Sequence, residues 1–223
     1  MRPRIMRAVV LLVLLWALAS GCIIAKQSLT MPSNDETTVA LLTGGLGRPM
    51  NDIARHPWFA VRHKGETDWM IYEVGGGGSE ADPFTSHSPY VDPILHATWR
   101  GEIGERAAQC IEKHGPGIKQ RIERDYFFPG PNSNTFGDEV LLTCRLAASL
   151  PATSIGKDWR GVIGVGITTE RTGVQVSTPL AGFKIGLKEG IEVHIFHLAF
   201  GIDFWPPAII LPVGPGRIGF ADR

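Results

Sequence analysis

The hydrophobic and polar positions change period along the chain. Behind Arg2, Arg4 and Arg7 runs an apolar stretch, Ala8 to Leu18. A basic start followed by a short apolar run predicts a secretory signal. Gln27 to Thr38 is polar, contains Pro32, and reads as a tether. Val39 to Leu42 is a brief apolar run cut off by Thr43-Gly44-Gly45-Leu46-Gly47, and is either a first strand or an extra loop. From Pro57 the period becomes two. Trp58, Ala60 and Arg62 alternate with Phe59, Val61 and His63. The polar turn Lys64-Gly65-Glu66-Thr67 follows, and Asp68 to Val74 is again rich in Trp, Ile, Tyr and Val. Two such runs joined by a short turn with Gly predict a hairpin. Gly75 to Gly78 ends it, and Pro83, Pro89 and Pro93 mark a long loop.

The period then lengthens to that of a helix. Ile103, Ala107, Cys110 and Ile111 share a face within Glu102 to Lys113. Gly115-Pro116-Gly117 is expected to break this helix, with a second short one at Ile118 to Arg124. Pro129-Gly130-Pro131 forces a turn. A helix begins after it, capped by Asn132, Asn134 or Thr135, with Asp138 and Glu139 in the first turn where the dipole favours them. Its expected buried stripe is Phe136, Val140, Cys144 and Ala147, and its expected stop is Pro151. Beyond Trp159 the strand period returns, over Val162–Thr168, Gly173–Ser177 and Ile191–Phe196. Ala208 to Leu211 is too short to cross a membrane. The sum is an α+β chain with an antiparallel sheet packed on helices.

Composition narrows the class. The chain has 223 residues, 43% of them hydrophobic and 20% charged, enough for a real core. That excludes a disordered, collagen-like or coiled-coil chain. Lys plus Arg and Asp plus Glu both number 22, so the basic excess of a nucleic-acid binder is missing. The 3 cysteines are too few for a disulfide scaffold. One of them changes the picture, because Leu18-Ala19-Ser20-Gly21-Cys22 resembles a bacterial lipoprotein box. The resemblance implies cleavage before Cys22 and acylation of its thiol. The domain would then face the periplasm or exterior, with the membrane as partner through Cys22. An uncleaved anchor is the alternative, since the apolar run continues through Ile23, Ile24 and Ala25; simple secretion is another. The expected organisation is a signal over residues 1–21, a lipidated tether over 22–50, and one domain over 51–223.

The chemistry centres on Asn132-Ser133-Asn134-Thr135-Phe136. A residue at a helix start lies among free backbone N–H groups, which can hold a developing oxyanion. Pro129 to Phe136, His56-Pro57-Trp58-Phe59-Ala60-Val61, Leu150 to Asp158, and Phe200-Gly201-Ile202-Asp203 resemble the signature of bacterial domain-of-unknown-function family 3750. That family name carries no activity. More distantly, Asn-Ser-Asn-Thr-Phe is similar to the Asn-Cys-x-x-Phe of circularly permuted papain-like proteins, the NlpC-type peptidases and the lecithin–retinol acyltransferase type. This second resemblance implies a papain-like fold. It also implies Ser133 in the nucleophile's place, His56 at a strand start as base, and Glu73, opposite it across the hairpin, as orienter. Asn132, Asn134 and Trp58 become the expected substrate contacts, with peptidoglycan or lipid as substrate.

The serine departs from the family's cysteine, and a hydroxyl needs both a base and an orienter. Three readings stay open. Ser133 is a capping residue, the nucleophile of an amide or ester hydrolase or acyltransferase, or part of a non-catalytic envelope binding pocket. No cofactor and no metal are expected. His194 and His197 have H-x-x-H spacing but fall on a strand, which predicts opposite faces. Cys110 and Cys144 either pair or stay as buried thiols. Lys157 and Asp158 read as an exposed ion pair, or else as a substrate contact.

Overall fold

In the computed structural model, which describes residues 31–47, 50–213 and 216–219, the ambiguous run at Val39 becomes the middle of a sheet. Strand β1 (Thr38–Gly45) lies between β2 (Arg55–Arg62) and β5 (Val91–Arg100). The order is β4-β3-β2-β1-β5, with β3 over Trp69–Tyr72 and β4 over Gly78–Glu80. Every residue of β1 is buried. A strand covered on both faces reads as a continuous apolar run, not an alternation, and that is why its sequence was ambiguous. The 8 residues of β1 therefore fall inside the expected tether, and the expected boundary at residue 50 falls too late. The signal run and Cys22 lie outside the described residues.

The pleat of β1 and β2 sorts side chains onto two faces. Val39, Leu41, Phe59 and Val61 meet the helices α1 (Gly101–Arg124) and α2 (Ser133–Cys144). Ala40, Leu42, Trp58, Ala60 and Ile71 pack on the other face, under Phe84 of the long loop. Helix α2 rests on β2, where Phe136 meets Phe59 edge-on at 6.5 Å.

Three helix expectations change. Pro116 lies inside α1 and does not break it. An internal proline costs about 3 kcal/mol, but Ile111, Ile118 and Ile122 on either side of it are all buried in the core, and their burial outweighs that cost. Ile103 belongs to the outer face and is exposed. Helix α2 stops at Cys144, because Arg145 turns left-handed (φ 54°) and the Leu146 N–H reaches back to the Leu141 carbonyl. That closing bond is a Schellman-type end, and it leaves Ala147 outside the helix and exposed. A Cys110–Cys144 disulfide ties α1 to α2, with the Cα atoms 5.6 Å apart.

The second sheet is a meander of neighbouring strands, β6 (Gly164–Ile167), β7 (Gly173–Ser177), β8 (Ala181–Gly186), β9 (Gly190–Ile195), β10 (Leu198–Phe204), β11 (Pro207–Ile210) and β12 (Arg217–Gly219). Phe196 and His197 form the turn between β9 and β10, with φ of 49° and 61°. Two positive φ values make a type I′ hairpin. His197 therefore leaves the strand and is buried beside Trp159, while His194 is buried from the strand. The expectation of opposite faces fails because the strand ends between the two residues.

Candidate functional site

His56 shares the face of Trp58 and Ala60 because it stands two and four residues before them on β2. The β2–β3 register pairs Phe59 with Tyr72 and Ala60 with Ile71, which brings Glu73 onto that same face. The His56 Nε2–H donates to Glu73 Oε2 at 2.7 Å. His87, from the proline-marked loop, places its Nε2 3.0 Å from the same oxygen and its Nδ1 2.6 Å from Glu80 Oε1. The Tyr90 ring stacks on His56 at 3.9 Å and 8°. Trp58 is fully buried and lies against His87, so it forms the wall behind the cluster and not a surface that a substrate could reach.

His87, Glu80 and Tyr90 had no sequence assignment. A histidine and a tyrosine inside a long proline-marked loop were the available signal.

Electrostatics divide the imidazoles. Burial would raise Glu73, but the bonds from His56 and His87 outweigh it and hold the carboxyl at about 2. Burial lowers His56 despite Glu73. Burial opposes a charge on His87 too, yet Glu73 and Glu80 together raise its pKa. Tyr90 is pushed up by burial and by the Glu73 charge. Glu73 is thus an anion shared by a neutral-leaning His56 and a cation-leaning His87.

A carboxyl depressed on folding adds stability above its unfolded pKa and loses it as pH falls. The Glu73 contribution is therefore full above the ordinary 4.5 and disappears as pH drops toward about 2. The melting temperature is expected to fall through that window, and to fall less steeply there in Glu73→Gln. Equal slopes in the two proteins would refute the assignment.

Ser133 opens α2, and Asn132 caps it. The Asn132 side-chain oxygen accepts from the N–H groups of Asn134 (2.9 Å) and Thr135 (3.2 Å). The Thr135 hydroxyl accepts from the Asn132 N–H in return, completing a capping box. Asn132 also donates to the carbonyls of Pro129 and Ile155, and Asn134 donates to Ile155. Both asparagines, expected as substrate contacts, are buried and engaged in joining the helix start to the neighbouring loops.

Gly137 lies one turn beyond Ser133 on the same helical face, and a Cβ there would come within 3.1 Å of the Pro57 ring. Pro57 belongs to the helix-facing set of β2, and His56 to the opposite set. The structure joins His56 to Glu73. Among the described residues no hydrogen bond joins either of them to Ser133.

A second polar cluster lies inside the second sheet. Asp158 Oδ2 is 2.8 Å from Lys157 Nζ, and its Oδ1 is 2.7 Å from Lys184 Nζ. Lys184 also reaches Glu192 at 3.1 Å. Lys157 and Asp158 are buried, not exposed as expected, because they lie against the inward side chains Gln175, Lys184 and Glu192 of the sheet. Burial alone would raise Asp158, but the two ammonium groups hold it well below the usual carboxylate range. Lys184 is held well above its ordinary value by Asp158 and Glu192 against burial. Asp158, Glu192 and His194 bring their ligand atoms within 4.8 Å of one another, a spacing that suits a metal ion. The two lysines already supply the positive charge such an ion would bring.

Close by, Arg160 pairs with Asp138 of α2 at 2.5 Å and so links this sheet to the helices. A cleft of about 290 Å³ opens beside the first cluster, lined by Tyr72, Glu73, Gly76, Gly77, Lys119 and Phe136.

These features define a mixed α+β protein with two antiparallel sheets and a buried imidazole–carboxylate cluster between a strand pair and a long loop. The chain belongs to the family described as protein of unknown function DUF3750, whose sequence profile matches residues 37–159. The match begins at β1 and ends at Trp159, so it takes in the first sheet and both helices and leaves out the second sheet, Phe200–Asp203 included. No curated protein and no solved structure matches the chain.

Proposed function

We propose that this is a bacterial envelope lipoprotein, held on a membrane through acylated Cys22, whose domain binds a ligand without hydrolysing it. The observation that carries the binding reading is the position of His56. It sits on the sheet face opposite α2, under Tyr90, with Nε2 committed to Glu73. A general base must lie within hydrogen-bond reach of the proton it removes. The capping box also consumes N–H groups that an oxyanion would need. The Cys110–Cys144 disulfide supports an oxidising compartment outside the cytoplasm. The chain order His56, Glu73, Ser133, with the serine at a helix start, supports a permuted papain-like ancestry in which the thiol has been lost.

The cleft carries a carboxylate, Glu73, and an ammonium, Lys119, which donates to the Gly76 carbonyl and lies 3.7 Å from Glu123. Both imidazole contacts of Glu73 use Oε2, and its Oε1 lies against Gly76 in the cleft wall. A short zwitterionic peptide, such as a peptidoglycan stem, matches that pair of charges. Saturable binding of a stem peptide is expected, weakened about tenfold in Lys119→Ala, which corresponds to about 1.4 kcal/mol. No binding, or binding indifferent to Lys119, would remove this ligand.

A second reading, a serine hydrolase or acyltransferase acting on an amide or ester, is favoured by the preformed His56–Glu73 pair at 2.7 Å. It requires His56 to swing past Pro57 toward the helix. A serine-directed phosphonate separates the two readings. Labelling of the wild type that is lost in Ser133→Ala would overturn the non-catalytic one.

A further inference from the structure

The second sheet is inside out for a protein domain in water. A sheet with one wet face buries its apolar side chains and exposes its polar ones. Here the inward positions of β7, β8 and β9 are Gln175, Lys184, Glu192 and His194, all buried. The outward positions are Val174, Phe183, Ile185, Ile191 and Val193, all exposed. β10 continues the outward row with Phe200 and Ile202. Polar-in and apolar-out alternation is the pattern of a strand that faces hydrocarbon.

The two rims of the sheet differ as well. The turn on one side of β7 holds Glu170 and Arg171, and Lys188, Trp205 and the exposed Leu187 occupy the neighbouring turns of that rim. The opposite rim carries Ile163, Leu180 and Phe196, exposed at 81%, 65% and 62%. The Phe196 N–H bonds to the Leu180 carbonyl, so these apolar tips are neighbours.

We propose that the outward face of the second sheet is a membrane-contact surface that beds into one leaflet of a phospholipid bilayer. Its apolar rim would point toward the hydrocarbon, with its charged rim and Trp205 at the headgroups. Aromatic and charged side chains favour that boundary.

Strand length sets the depth. The longest strand of this sheet, β10, has 7 residues, or about 23 Å at about 3.3 Å per residue. A spanning strand needs about 9–11 residues, whereas one leaflet supplies about 15 Å of hydrocarbon. The edge strands β6 and β12 have only 4 and 3 residues, which limits the unpaired backbone that lipid would meet.

A second copy of the chain fits this face less well. Glycines stand at the inward positions Gly164, Gly182, Gly186 and Gly201, while large side chains stand outside. Glycine kinks let a sheet curve, and a fluid bilayer conforms to a curved face where a rigid copy does not. The inference needs no acyl chain, so it stands apart from the processing of Cys22.

The test places a benzophenone-bearing phenylalanine at Phe196 in the full chain, in its native membrane, with Met70 of the first sheet as the control position. Irradiation is expected to yield a phospholipid adduct at position 196 and none at 70. The pair Ile163→Glu and Phe196→Glu, with the probe moved to Val193, should lower the adduct at least tenfold. Both residues are exposed, so the melting temperature should hold. A cross-linked dimer would assign the face to a second copy, and a cross-link to a different protein, or none at all, would equally overturn the proposal. Intact mass of the same preparation reads the acyl group on Cys22 independently, so failure of the anchor and failure of the face give different results.

Discussion

Asp158→Asn is expected to destabilise the protein by about 3–5 kcal/mol, the cost of leaving a buried charge without its partner. The carboxylate holds Lys157 at 2.8 Å and Lys184 at 2.7 Å, and all three groups are buried. Removing its charge leaves two ammonium groups to share Glu192. At about 2–4 °C per kcal/mol for a chain of this length, the melting temperature should fall by roughly 10 °C. Removing one ammonium in the same protein, as in Asp158→Asn with Lys157→Met, should recover part of the loss. A double-mutant cycle measures that recovery. A single-mutant loss below about 1 kcal/mol would show that water reaches the cluster and screens it.

Phe136→Ala is expected to cost about 3–5 kcal/mol, the usual range for emptying a buried aromatic site. Its ring is 1% exposed and packs edge-on against Phe59, in the seam where α2 meets the first sheet. The Cys110–Cys144 bond keeps the two helices tied, so the surrounding side chains cannot collapse freely into the void. Chemical denaturation with the disulfide intact measures the loss. A near-neutral result would place the ring outside the core. Phe136 also lines the cleft with Glu73 and Lys119, so stem-peptide binding should weaken together with stability.

Elements with one wet face and one dry face were legible from period alone. The β2–β3 hairpin alternates, its turn is polar, and its ends fix the register that brings Glu73 to His56. Helix α2 announced itself through Pro129-Gly130-Pro131 and a capping asparagine, both local devices. β1 lacked that contrast because it is covered on both sides. β5 was missed because Pro93 and its half-exposed residues resemble a loop. Pro116 misled because a local penalty of about 3 kcal/mol says nothing of the long-range burial that opposes it.

The candidate site divides along the same line. The resemblance to permuted papain-like proteins singles out His56, Glu73 and Ser133, and the His56–Glu73 contact follows from hairpin geometry. Which sheet face each occupies relative to α2 required the fold, because a strand's two faces are equivalent until something packs on one of them. His87, Glu80 and Tyr90 come from a loop whose path no short-range rule fixes.

The sequence by itself determined the α+β composition, the hairpin, the helix cap and the basic, apolar, small-residue order before Cys22. All of these depend on neighbours within a few residues. Tertiary structure alone decided that His56 turns away from Ser133, that Lys157 and Asp158 are buried, and that the second sheet carries its charges inside and its apolar residues outside. The physical reason is that alternation along a strand sorts residues into two sets, while only distant segments packing on one side determine which set meets solvent.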